Sequence, residues 1–134
     1  MPTLHPYDYV VIRVVPCVAR QEFINAGVVL YCRTLRFLAA RIALDVARLS
    51  ALAPTCDLAA IQAQLELIPR FCAGEGAMRE LTPVERFRWL AAPRSTAVQV
   101  SPPHRGLCYD AAATLDRLLE EMVLPCGPRS PAHP

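Results

Sequence analysis

The sequence predicts an α+β fold: a mostly antiparallel sheet of about four strands with helices packed on one face. Three apolar, β-favouring runs come first, Tyr7–Val15, Val28–Cys32 and Leu35–Ile42. Segments with capping residues and apolar positions at helical spacing follow. One short alternating run, Thr96–Val100, returns before the last of these. The order is β-β-β-α-α-α-β-α.

Tyr7–Val15 is rich in β-branched and aromatic residues and ends at Pro16, which marks a central strand. Arg13 is its one cation in an apolar stretch. It either snorkels to the sheet end or pairs with a carboxylate such as Asp8 or Glu22. The polar interruption Arg20–Gly27 separates this strand from the next, Val28–Cys32. Leu35–Ile42 is the hairpin partner across Arg33-Thr34, a turn without the usual Asn-Gly signature. Three successive strands form an antiparallel meander.

Asp45 caps a short helix carrying Val46, Leu49 and Leu52, stopped by Pro54. Asp57 caps a longer one, with Leu58, Ile61, Leu65 and Ile68 on one face. Pro69 kinks or ends it near Ile68. Thr82-Pro83-Val84-Glu85 combines an N-cap, proline at the first helical position and a capping box. The helix that follows bears Phe87, Trp89 and Leu90 and must stop by Pro93. Thr96–Val100 is a strand closed by Pro102-Pro103, and Ser101–Gly106 is a rigid loop containing His104. Asp110 caps a final helix with Leu115, Leu118, Leu119, Met122 and Val123 as its stripe. One domain is expected over 1–124, with a Pro-rich, frayed tail at 125–134.

Composition narrows the function classes. The chain has 134 residues, a 54% hydrophobic fraction and a net charge of +2. A core is affordable at this length, and bulk charge for nucleic-acid binding is lacking. All 14 basic residues are arginine, which reflects either coding bias or a use for planar guanidinium forks. The N-terminus lacks a secretory pattern and no apolar run would span a bilayer. The six cysteines are scattered, at 17, 32, 56, 72, 108 and 126. The expectation is a cytoplasmic protein with reduced core thiols, no cofactor or metal, and no nucleic-acid or membrane partner.

Two segments gather charge and fixed backbone chemistry. In the first, Arg20 and Glu22 are close enough to pair, Asn25 can close a local turn or adopt positive φ, and Gly27 supplies a geometry other residues resist. In the second, Arg86 and Arg88 lie two apart and so point in different directions on a helix. Trp89 suits a core position or an interface anchor. Arg94 and Ser95 form either an anion cradle or, through Arg94, a cap for the helix's last carbonyls. His104 is the one interior histidine, with no nucleophile spaced to match.

These segments resemble a known family. Tyr7–Pro16 and Arg20–Leu30, then Glu85-Arg86-Phe87, Ala92-Pro93-Arg94-Ser95, Gln99 and Ser101-Pro102, are similar to the bacterial domain of unknown function 3037 family over roughly 7–124. The distinctive parts are Glu22-x-x-Asn25-x-Gly27 and Pro93-Arg94-Ser95. The resemblance implies a small cytosolic accessory protein, with some members associated with kinase-like proteins of the HipA type. It carries no catalytic residue.

Two readings of function follow. The first is an accessory or regulatory binding module, more in keeping with a non-enzyme, whose kinase-like partner meets Arg20, Glu22, Arg86, Arg88 and Arg94 around a Trp89 anchor. The second is an enzyme or sensor for a small anionic ligand. There Arg20 and Arg94 neutralise the anion, Asn25 and Ser95 hydrogen-bond it, and Glu22 orients an arginine or acts as base. A structural role remains a third reading, with Glu22 joined to Arg94 or Arg13.

Overall fold

The computed structural model describes residues 2–94 and 96–125, side chains at 77 and 78 excepted. Its elements run β1 (His5–Val14), β2 (Ile24–Cys32), β3 (Phe37–Ile42), α1 (Val46–Leu52), α2 (Leu58–Cys72), α3 (Pro83–Ala91), β4 (Val98–Val100), β5 (His104–Cys108) and α4 (Ala111–Met122). The class is α+β, as the pattern of runs predicts. All strand pairs are antiparallel. The order is β3-β2-β1, with β4 and β5 sharing the other side of β1. β1 is therefore central, which explains its nearly unbroken apolar run.

A fifth strand is the main addition to the expected order. His104–Cys108, whose first residues the sequence places in a rigid loop, pairs with β1 from Tyr9↔His104 to His5↔Cys108. Its sequence, His-Arg-Gly-Leu-Cys, has little alternation, because an edge strand with one exposed side has no need of it. Pro102 and Pro103 interrupt the ladder between β4 and β5, since neither can donate.

The helices also differ in placement. α1, α2 and α3 pack on one face around Val10, Ile12, Val14, Val29 and Tyr31, as expected of all four. α4 instead covers the opposite face, with Ala111, Leu115 and Leu118 against Val28, Leu30 and Cys32. Alternate residues of β2 face the two cores, as a period of two requires. Val28–Cys32 is apolar on both sides because both sides are buried.

β2 begins four residues earlier than the apolar run suggests. Ile24–Gly27 belongs to it, but the register slips: Ile12 faces Gly27 and Arg13 faces Asn25, leaving Ala26 as the extra residue of a β-bulge. The slip changes which face follows. Ile24 and Ala26 join the α1–α3 core with Val29 and Tyr31, which unbroken alternation would forbid. Gly27 is needed here for close approach and not for positive φ. A Cβ on it would sit 2.6 Å from the Arg41 carbonyl oxygen and 2.9 Å from Ile42 Cδ1. The β2–β3 turn spans four residues, 33 to 36, with Arg36 at φ 51 and its N–H donating to the Arg33 carbonyl at 3.1 Å. β3 therefore starts at Phe37, two residues later than the hairpin reading.

The caps form where the sequence places them. Asp45, Asp57 and Asp110 each accept from a backbone N–H three residues on. Thr82 and Glu85 complete a reciprocal capping box on α3. Pro69 does not end α2, which continues to Cys72. Only one N–H is lost, and the helix is held beyond it by burial of Ile68 and Cys72. Gly74, at φ 78, closes α2, with Glu75 N–H donating to the Arg70 carbonyl at 3.1 Å. The proposed tail lies, beyond Pro125, outside the described residues.

Candidate functional site

Arg20 and Glu22 emerge from a 3-10 turn, Val18–Arg20, that links β1 to β2. They pair with each other, both largely exposed. The Glu22 hydrogen bond and charge raise the Arg20 pKa further. An exposed pair of this kind is screened and adds little stability. Glu22 thus joins neither Arg94 nor Arg13, which corrects the structural reading. Asn25 neither closes a local turn nor takes positive φ. It is an extended strand residue whose Nδ2 donates to the Met122 carbonyl at 2.9 Å, tying β2 to the end of α4. Its Oδ1 is buried without a partner among the described residues.

The second segment divides by direction. Arg86 turns inward: Nη1 donates to the Cys72 carbonyl at 2.7 Å and Nε to the Leu81 carbonyl at 3.1 Å. It satisfies an orphan carbonyl at the end of α2 and fastens α3 to it. Arg88 is exposed in the last turn of α3, where its charge suits the helix dipole. Arg94 caps α3 as anticipated, Nη2 donating to the Trp89 carbonyl at 2.7 Å. Its guanidinium also lies 4.2 Å above the Trp89 ring. Burial lowers its pKa from the ordinary guanidinium value. Ser95 lies outside the described residues.

Two concavities meet at Arg94. The larger, of about 410 Å³, is a groove between α2 and α3. Leu67 and Phe71 of α2 and Trp89 of α3 form its apolar wall, over a floor that includes Ile68 and Leu90. Phe71 and Trp89 stack with centroids 4.9 Å apart. Trp89 is 48% exposed and Leu67 58%, so Trp89 is no core residue. The smaller, of about 340 Å³, lies where β1 ends, β2 enters and β4 begins. Gln21 and Phe23 line it from the first segment and Arg94 from the second, together with Arg13 and Gln99.

The two segments therefore do meet, the second through Arg94 itself and the first through neighbours of the residues singled out in it. Gln21 and Phe23 face the pocket while Arg20 and Glu22 do not line it. Of the two alternatives for Arg13, pairing with a carboxylate is not the one taken: among the described residues it pairs with none. Asp8 is bound by Arg105 at 3.0 Å and Glu22 by Arg20. Arg13 instead stacks on Phe23, its guanidinium carbon 4.3 Å from the ring centre. A strand arginine next to a polar loop was the available signal, and only the fold shows which neighbours it lacks.

Among the described residues, no group of three His, Cys, Asp or Glu side chains is placed to hold a metal ion. Burial pushes the Cys72 thiol up to about 12, leaving it an inert packing group. No helix among the described residues is long and apolar enough to cross a membrane. No curated protein and no solved structure matches the chain. The family model described as Protein of unknown function (DUF3037) matches residues 9–123, a span that includes both candidate segments, and the chain belongs to that family.

Proposed function

We propose that this protein is a cytoplasmic accessory module that binds a larger protein through the groove between α2 and α3, with a HipA-like kinase as the first partner to test. The observation that carries the reading is the stack of exposed Trp89 on half-buried Phe71, walled by Leu67 and topped by Arg94. Burying large aromatic and aliphatic surface of this kind supplies most of the energy of a small interface. The groove suits a short segment with a few bulky apolar side chains. Its rim favours an acidic flank: Arg70 is already paired with Glu75 at 3.5 Å, whereas Arg94 pairs with no carboxylate among the described residues. The kinase-like partner comes from the family resemblance, and the groove supplies the means of contact.

Trp89 is the one tryptophan in the chain, so its fluorescence reports on the groove directly. The protein and the HipA-like kinase of its host should co-purify, with a shift in Trp89 emission on binding. Leu67→Glu should weaken the complex at least tenfold, about 1.4 kcal/mol, while far-UV circular dichroism stays unchanged. A complex that forms equally well with folded Leu67→Glu protein would rule out the groove as the contact surface.

A further inference from the structure

The pocket at the end of the sheet has a chemistry distinct from the groove. Two guanidinium groups, Arg13 and Arg94, border it, with the amides of Gln21 and Gln99, and among the described residues no carboxylate lines it. The ion pairs among the described residues lie elsewhere: Arg20 with Glu22, Arg41 with Asp116, Arg70 with Glu75, Arg105 with Asp8 and Arg117 with Glu121. Neither Arg13 nor Arg94 is paired with a carboxylate among the described residues. Two like charges facing one small cavity repel, so their arrangement favours an anion between them.

Arg13 adds a second, independent observation. Its Nε is shielded from solvent and makes no hydrogen bond among the described residues. A buried donor of this kind calls for an acceptor, and a charged donor most of all. The side chain is held in place by the Phe23 ring, as Arg94 is held by Trp89 and its carbonyl. Both forks are thus oriented before any ligand arrives, which reduces the ordering cost of binding. Gln99 stands directly opposite Arg13 in the β1–β4 ladder, and its amide is steadied by a 2.9 Å bond from Nε2 to the Thr96 carbonyl. Gln21 adopts φ 58, a left-handed conformation uncommon for a side chain of its size, at the rim of the same cavity.

We propose that this pocket binds a small oxyanion, a phosphate or carboxylate group, gripped by the guanidinium groups of Arg13 and Arg94 and hydrogen-bonded by Gln21 and Gln99. The oxyanion belongs either to a free small molecule or to a side chain of a segment lying in the adjoining groove, since Arg94 borders both. The site itself does not rest on the groove reading, and the phosphate titration requires no partner.

The test is nuclear magnetic resonance of the arginine Nε–Hε signals during titration with inorganic phosphate, and separately acetate, at constant ionic strength set with sodium chloride. The Arg13 and Arg94 signals should shift saturably, while those of Arg105 and Arg117 should not. Gln99→Glu would place a carboxylate beside Arg13. It should raise the Tm and remove the saturable shift, and it spares the β1 core that Arg13→Met would put at risk. Arg94→Gln should weaken phosphate binding at least tenfold. The source of the oxyanion is read from competition. Phosphate that displaces the kinase partner indicates a group carried by that partner, and phosphate bound alongside it indicates a free small molecule. A non-saturating shift shared by all arginines would overturn the proposal, as would a lower Tm in Gln99→Glu with phosphate binding intact.

Discussion

Ser101 is almost fully buried and completes the sheet where two strands fail to meet. Its N–H donates to the Val11 carbonyl at 2.8 Å, and its hydroxyl oxygen accepts from the Val11 N–H at 2.8 Å. The hydroxyl in turn donates to the Pro102 carbonyl at 3.0 Å. Pro102 and Pro103 offer no donors of their own, so without this side chain the centre of β1 would carry an orphaned N–H. Ser101→Ala should therefore lower the unfolding free energy by about 1–3 kcal/mol. Urea denaturation would read this as a lower midpoint at unchanged slope. An unchanged midpoint would mean that another acceptor reaches Val11. Arg13 illustrates the same accounting with the opposite result, a buried donor for which the described residues provide no acceptor.

At the level of elements, α3 depends on its ends. Its start is the Thr82–Glu85 box, with Thr82 N–H donating to Glu85 Oε1 at 3.0 Å and Glu85 N–H donating to Thr82 Oγ1 at 3.3 Å. These bonds from Thr82 hold the Glu85 carboxyl below its ordinary pKa of 4.5. The sign follows from the lowered value. The ionised cap stabilises the folded chain fully above the ordinary carboxylate range, and the contribution fades as pH falls through the lowered folded pKa. Glu85→Ala should thus have a lower Tm than the parent at pH 7, and the gap should narrow below about pH 4. A gap that is constant with pH would show that the carboxylate charge plays no part. At the other end, Arg94 caps α3 while Arg86 bonds the end of α2, so both helices that wall the groove are anchored by arginines. An Arg86 or Arg94 variant therefore alters groove geometry as well as charge, which is why Leu67 is the cleaner probe of binding.

Across the whole molecule, the sheet is buried on both faces, and the thiols record this. Cys32, Cys72 and Cys108 are buried, whereas Cys17 is exposed at the turn leaving β1. Burial raises the Cys72 and Cys108 thiols from their ordinary range. Iodoacetamide at pH 8 should modify Cys17 readily. The three buried thiols should react at least about a hundredfold more slowly, because each must wait for an opening that costs several kcal/mol. Peptide mass mapping gives the rates. Rapid labelling of Cys32 or Cys108 would mean that α4 detaches from its face of the sheet far more easily than the rest of the core.

Much of the fold was legible in the chain because it is governed by short-range rules. Four strands, four helices, the aspartate caps and the capping box all depend on residues within a turn or so of one another. The Arg20–Glu22 pair and the Arg94 cap are local for the same reason. What lay beyond reach depends on contacts distant in sequence. β5 exists because β1 offers it an edge some 97 residues earlier, as the Asp8–Arg105 bond records. The bulge at Ala26 and the exclusion of a Cβ at Gly27 arise from strands closing around that position. The face taken by α4 reflects which side of β2 the first three helices leave open. The pocket is the clearest case. The sequence by itself determined that charge gathers in two segments, and the tertiary structure decided that Arg13, Gln21 and Gln99 are the residues that join Arg94 there. Alternation along a bulged strand and the partnering of nearby carboxylates select them, and neither is settled before the chain folds.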